Sequence, residues 1–255
     1  MTALAPDGSV RVPDAVRRLA RGDRVTPVWR NPHGGLTFRL DAVGGSATPT
    51  RFVKWSRTGL AAEADRLRWA APWTPVPRVL AHGTAPDDTS PGGEPAEYLV
   101  TAAVPGRSAV DPRWLAAPAT AARALGEGLR AMHDALPVAA CPFDWGVRER
   151  LARLSPEVGP EVRARLRDVP DVDRLVVCHG DACAPNTLLD DDGRWCAHVD
   201  LGRLGAADRW ADLAVAAMST TWNYGPGFGH LVYEGYGVVP DAARIAYYRL
   251  LWDST

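Results

Sequence analysis

The most constraining stretch of this 255-residue chain runs from Leu175 to Asp212. It opens on an apolar step, Leu175-Val176-Val177-Cys178, which leads directly into His179-Gly180-Asp181, with Asn186 five residues after the aspartate. A second apolar step, Thr187-Leu188-Leu189, meets the acidic turn Asp190-Asp191-Asp192-Gly193. A third, Cys196-Ala197-His198-Val199, ends on Asp200-Leu201-Gly202-Arg203. Short apolar runs on either side of a Gly-containing turn predict a β-hairpin. Such a hairpin carries an amide, Asn186, at its entry and a carboxylate, Asp200, at its exit, with Asp181 just upstream. A lone His-Gly-Asp would read as strand-end acids on a solvated loop. All four elements, in order and separated by one hairpin, point to chemistry.

Phosphoryl transfer of the protein-kinase kind needs this set of groups. One Asp orients the attacking hydroxyl, and an Asn and a second Asp hold Mg²⁺ against the phosphates of ATP. The stretch resembles the aminoglycoside phosphotransferase family, whose signature is His-Gly-Asp-x-x-x-x-Asn followed by Asp-x-Gly-Arg. The resemblance implies an α+β, two-lobed protein-kinase-like fold. A small N-terminal lobe of antiparallel sheet with one helix would occupy residues 1–104, and a larger, mainly helical lobe residues 105–255. It also implies an enzyme that uses ATP and Mg²⁺ to phosphorylate a hydroxyl of an aminoglycoside antibiotic, of the 3′ type. A kinase of another amino sugar or small antibiotic, or a catalytically weak nucleotide-binding module, is the alternative. On this reading Asp181 is catalytic, Arg203 anchors the catalytic loop, and Asn186 and Asp200 are the metal ligands.

Composition excludes other classes. The 46% hydrophobic content supplies a sizeable core, and a net charge of −1 gives no polyanion-binding surface, so nucleic acid is not an expected partner. No apolar run reaches the length of a membrane span, and the start of the chain lacks the pattern of a secretory signal. These features lead to the expectation of a cytoplasmic monomer with reduced cysteines. The four cysteines contain no Cys-x-x-Cys pair, which disfavours a zinc site at Cys178, Cys183, Cys196 and His198. Lysine is almost absent from the sequence, which makes Lys54 conspicuous.

In the N-terminal half, residues 1–24 read as a polar extension with a short helix over Asp14 to Arg21. Strands are expected at 25–29, 36–40 and 51–55. The turn Asn31-Pro32-His33-Gly34-Gly35 would let the amides of Gly34 and Gly35 approach phosphate, and residues 44–50 form a further turn. Lys54, near the end of the third strand, matches the family's Phe-Val-Lys strand, whose lysine contacts the α/β-phosphates. Glu63, early in a helix beginning near Leu60, is its expected partner. Residues 83–96 read as a polar loop. Tyr98-Leu99-Val100-Thr101 reads as a strand into the inter-lobe hinge, where the backbone of Thr101 and Ala103 would hold adenine.

In the C-terminal half, Ala121, Leu125, Leu129 and Met132 give residues 118–136 helical spacing. Leu136 to Asp144 resembles the family's Cys-Pro-Phe-Asp segment. Only about 35 residues then precede His179, which leaves out part of the acidic insertion that grips cationic drugs in many relatives. The remaining acids for a cationic acceptor are Asp144, Asp253 and the carboxylate of Thr255, at the end of a Tyr-Tyr-x-Leu-Leu helix whose pattern Trp252 and Thr255 break. The segment 222–230, rich in aromatics and glycine, reads as a loop in which Trp222 offers a flat wall to a sugar ring.

Overall fold

The computed structural model describes residues 10–31, 33–44, 49–90 and 92–255. The first nine residues of the expected extension, Pro32 of the expected 31–35 turn and the centre of the turn expected at 44–50 lie outside the described residues. The chain divides into two compact units. One holds the described residues up to 72 together with 76–104, and the other holds 73–75 and 105–255. Residues 73–75, expected in the first unit, belong to the second, where the Pro75 carbonyl accepts a hydrogen bond from the His198 amide at 3.3 Å.

The first unit comprises α1 (Asp14–Ala20), β1 (Arg24–Arg30), β2 (Leu36–Asp41), β3 (Arg51–Ser56), α2 (Ala61–Ala70), β4 (Val79–Pro86) and β5 (Pro95–Ala102). The strands form an antiparallel sheet in the order β1-β2-β3-β5-β4. Alternation along β3 sets the faces. Val53 and Trp55 point into a core with Phe38, Leu40 and Val100, covered by Ala15, Val16 and Ala20 of α1. Lys54 therefore lies on the opposite face. The polar loop expected at 83–96 is shorter than its composition suggests, because β4 and β5 pair out to Pro86 and Pro95. Asp87 closes it by accepting from the Thr89 amide and hydroxyl.

The second unit comprises β6 (Arg107–Ser108), α3 (Pro112–Leu115), α4 (Pro118–Ala135), α5 (Val147–Leu151), α6 (Pro160–Arg167), β7 (Leu175–Cys178), β8 (Thr187–Leu189), β9 (Trp195–His198), β10 (Gly205–Asp208), α7 (Trp210–Tyr224), α8 (Gly229–Tyr236) and α9 (Ala242–Ser254). The apolar stripe of α4 is buried, and Gly126 within it admits α8 so closely that a Cβ there would drive into the Val232 carbonyl. Among the described residues no helix is long and apolar enough to cross a membrane. One expectation fails here. Residues 222–224 are the last turn of α7 and 229–236 are α8, so only the glycine-proline break between them is loop. Trp222 thus stands on a helix, 40% exposed, rather than on a loop wall.

Candidate active site

The Leu175 to Asp212 stretch folds as the hairpin β8–β9, which also pairs with β6, preceded by β7, which pairs with β10. β7 delivers His179 into a fully buried position. There Asp212, in the first turn of α7, ties down the loop. Its Oδ2 accepts from the His179 amide at 2.6 Å and its Oδ1 from the Gly180 amide at 3.0 Å. The same Oδ2 lies 3.0 Å from His133 Nε2, and His133 Nδ1 lies 3.0 Å from the Tyr236 hydroxyl, so the tie continues into α4 and α8. Burial pushes the Asp212 carboxyl up, but the His133 hydrogen bond, the neighbouring imidazoles and the Gly180 amide outweigh it and hold the group below its ordinary value. His133, Cys178 and Asp212 form a cluster with the atoms to ligate a metal. The hydrogen bonds of His133 and Asp212 and the Cys178 thiol, which donates to the Asp208 carbonyl, account for it without one.

Gly180 carries φ +82°, and a Cβ there would drive into the Arg203 carbonyl, so the His-Gly-Asp glycine is required by both backbone and space. The His179 ring couples the loop to the next strand. Its Nδ1 accepts from the Asp181 amide at 3.2 Å, which fixes the proton on Nε2, and Nε2 donates to the Val199 carbonyl at 3.0 Å. Asp181 and Asp200 are thereby positioned from one imidazole, since Val199 immediately precedes Asp200.

Asn186 ends a short 3₁₀ turn over 184–186 and is buried. Its side-chain amide donates to the Asp181 carbonyl at 2.9 Å, and its main chain pairs with Val199 through a 2.9 Å bond. With the nitrogen so engaged, the side-chain oxygen is the group left to ligate. Asp200 takes φ +64°, a left-handed conformation that costs a non-glycine residue about 1–3 kcal/mol and concentrates at functional sites. One Asp181 carboxylate oxygen is buried and, among the described residues, has no hydrogen-bond partner. A buried acceptor left unmatched is the exception in folded proteins, and it suits a group that meets a donor on its substrate. An amide oxygen and carboxylates are the hard donors Mg²⁺ takes, so these residues fit the ion that the motif implies.

In the other unit Lys54, the only lysine of the chain, places its Nζ 2.7 and 2.8 Å from the two carboxylate oxygens of buried Glu63 on α2. The start of α2 is held by Glu97 of β5, whose Oε2 accepts from the amides of Leu60 at 2.6 Å and Ala61 at 2.9 Å and lies 3.1 Å from His82. These bonds, led by that from Leu60, hold the Glu97 carboxyl below its usual range despite burial. Sequence reading missed Glu97 because its partners lie nearly forty residues away. Thr101 lies within β5, in register with Phe52 and Val79, and the Ala103 amide donates to the Thr50 carbonyl. That leaves the carbonyl of Ala103, not its amide, for a base edge.

The Gly34 amide donates to the Asn31 carbonyl, and the Gly35 amide to the Asn31 side chain at 2.7 Å, so the turn uses the donors that a phosphate would need. Of the expected acceptor residues, Asp144 is exposed and spends one oxygen on the Gly146 amide at 2.7 Å, next to its backbone bridge with Ala206. Asp253 is exposed near the end of α9, and the Thr255 hydroxyl donates to the Leu251 carbonyl. Arg203 lies over the rings of Trp145 and Trp252 at 5.6 and 5.4 Å, a stacked position that sequence reading did not foresee.

Residues 29–248 match the model of the phosphotransferase enzyme family. The chain belongs to that family. This phosphotransferase is 37% identical over 220 residues to an aminoglycoside 3′-phosphotransferase of Streptomyces fradiae, with 75% of this chain and 78% of the relative covered. Among solved structures it resembles an aminoglycoside-3′-phosphotransferase of type VIII, with a TM-score of 0.72 and 32% identity over 94% of this chain and 97% of the other. It also resembles the aminoglycoside phosphotransferase APH(3″)-Id from Streptomyces rimosus in complex with ADP and streptomycin, with a TM-score of 0.65 and 27% identity over 93% and 95% of the two chains. The fold is that of the protein-kinase-like aminoglycoside phosphotransferases, and the phosphotransferase is an enzyme.

Proposed function

We propose that this phosphotransferase transfers the γ-phosphoryl group of ATP to a hydroxyl of an aminoglycoside, acting as a monomer in the cytoplasm, where ATP is available. The unmatched buried oxygen of Asp181, held by the Asp212 and His179 bonds, is the observation that carries the reading. Asp181 accepts a hydrogen bond from the acceptor hydroxyl and aligns its oxygen with the γ-phosphorus. The transition state is loose, so positioning and charge neutralisation matter more than a strong base, and an ionised Asp serves. Asn186 and Asp200 would hold Mg²⁺, which would supply positive charge to offset that of the transferring phosphates. Lys54, kept extended by Glu63, takes the α/β-phosphates, and the backbone carbonyl of Ala103, with Thr101 beside it, faces adenine.

The relatives support an aminoglycoside acceptor but divide between 3′ and 3″ names, so the hydroxyl is assigned by experiment. Asp144 and Asp253 are the carboxylates proposed for the acceptor's ammonium groups. A panel of 3′- and 3″-accepting aminoglycosides and simple amino sugars, assayed for ADP release and mapped by ³¹P NMR of the product, tests this. Turnover confined to aminoglycosides supports the proposal, and turnover of none would end it. Asp253→Ala should raise KM for the acceptor and leave KM for ATP unchanged.

A further inference from the structure

The second unit holds a buried positive charge that, among the described residues, no carboxylate pairs with directly. Arg150 on α5 is 1% exposed. Its Nε and Nη1 are buried without a partner, and Nη2 makes a single long bond, 3.3 Å, to the Thr255 hydroxyl. Partly buried arginines are paired with carboxylates, Arg51 with Asp23, Arg209 with Asp173 and Arg244 with Asp208, although the Arg51 Nε is itself unmatched. Desolvation of an ion is costly unless its hydrogen-bonding groups are satisfied, so this exception calls for a ligand. Burial lowers Arg150 to about 10; Cys178, Asp212 and Tyr248 pull the other way and Arg203 adds to the lowering, and the group stays charged at neutral pH.

The neighbouring side chains add further donors. Trp145 is buried, and its indole N–H also lacks a partner. The guanidinium carbons of Arg150, Arg153 and Arg203 lie 5.2, 5.5 and 5.6 Å from the centre of that one ring. Arg153 is answered by Glu149 at 2.7 Å, whereas among the described residues no carboxylate pairs with Arg150 or Arg203. Arg203 and Trp252 are only half-buried, so the cluster opens to solvent on their side. The backbone of Arg203 packs against Gly180, which sets the cluster beside the loop that carries Asp181.

We infer that Arg150, Arg203 and the indole N–H of Trp145 form an oxyanion-binding subsite beside the catalytic loop, suited to a phosphate-class anion. A guanidinium fork matches the oxygens of such an anion, and the Trp145 and Trp252 rings keep both forks flat and in place. The inference does not depend on which acceptor the enzyme uses. Free inorganic phosphate and a phosphomonoester on a sugar product share the chemistry.

Calorimetric titration of the Mg²⁺-free full chain with inorganic phosphate, and separately with glucosamine 6-phosphate, tests it, alongside melting temperatures over the same concentrations. Wild type should bind and melt higher as the anion is added. Arg150→Met keeps the aliphatic volume and removes the charge. It should weaken binding about ten- to a hundredfold, the effect of losing hydrogen bonds to a charged group. Without anion this variant should melt no lower than wild type, because an unanswered buried charge is gone. Trp145→Phe keeps a ring, removes the N–H and should also weaken binding, and it carries the test if Arg150→Met does not fold. Lys54→Ala should bind the anion as wild type does. Tighter binding of the ester assigns the subsite to product, and tighter binding of phosphate assigns it to the free anion. No binding by wild type, equal binding by the Arg150 and Trp145 variants, or loss of binding in Lys54→Ala alone would overturn the inference.

Discussion

Replacing Asp212 with Asn tests how the catalytic loop is held. The carboxylate accepts three hydrogen bonds in a fully buried place, from the amides of His179 and Gly180 and from His133. Asn has one acceptor oxygen. If that oxygen keeps the side shared by His179 and His133, the new NH₂ faces the Gly180 amide, donor against donor. One charge-assisted bond is lost, a buried donor is left unmatched, and the remaining two bonds lose their ionic partner. Hydrogen bonds to charged groups contribute about 1.5–3 kcal/mol and an orphaned buried donor costs about 1–3 kcal/mol, so a loss of about 2–4 kcal/mol is expected. That is a large part of a typical folding margin of about 5–15 kcal/mol. Urea unfolding followed by circular dichroism should show a lower midpoint at an unchanged slope. Steady-state kinetics should show kcat falling while KM for ATP moves little, because Lys54 lies in the other unit. A variant as stable and as fast as wild type would refute the claim that Asp212 positions the loop.

Other expectations follow from the same structure. Lys54→Ala should raise KM for ATP well above its effect on KM for the acceptor, since Glu63 holds the amine at 2.7 Å for the phosphates; unchanged ATP kinetics would remove Lys54 from the nucleotide site. Gly180→Ala should destabilise the fold or slow turnover strongly, because both the φ of +82° and the Arg203 carbonyl oppose a Cβ, and a melting curve matching wild type would contradict this. The folded-state pKa of Glu97 lies below its ordinary 4.5, so its contribution is present above about that pH and is lost as pH falls through the depressed value. Wild type should therefore lose stability between pH 5 and 3 more steeply than Glu97→Gln, and parallel profiles would deny the cap at the start of α2.

What the sequence disclosed and what it hid divide along the range of the interactions. The His179 to Asp200 stretch was legible because its meaning is local, with turn residues, alternation and motif spacing lying within one short segment. Lys54 and Glu63 were legible through one strand and the first turn of the next helix. The pairing of β7 with β10 was not, since a four-residue strand such as Gly-Ala-Ala-Asp has no alternating pattern to show. Glu97 reads as an ordinary strand residue until its partners at Leu60 and Ala61 are seen. In the Gly34-Gly35 turn, glycine announces backbone freedom but not where the amides go, and here Asn31 takes them. Trp222 misled because the glycines that follow it suggest a loop, whereas α7 runs on to Tyr224. The Arg150 cluster was invisible because it draws on α5, the segment after Asp200 and α9.

The central claim, that Asp181 orients the acceptor hydroxyl in a kinase reaction, is tested most directly by the single-turnover rate of Asp181→Asn with saturating ATP, Mg²⁺ and the best acceptor of the panel. Asn keeps the size and removes the charge and the proton acceptor. The rate should fall by about 10²–10⁴-fold, while calorimetry shows both ligands still binding. A variant that transfers phosphate at near the wild-type rate would contradict the account.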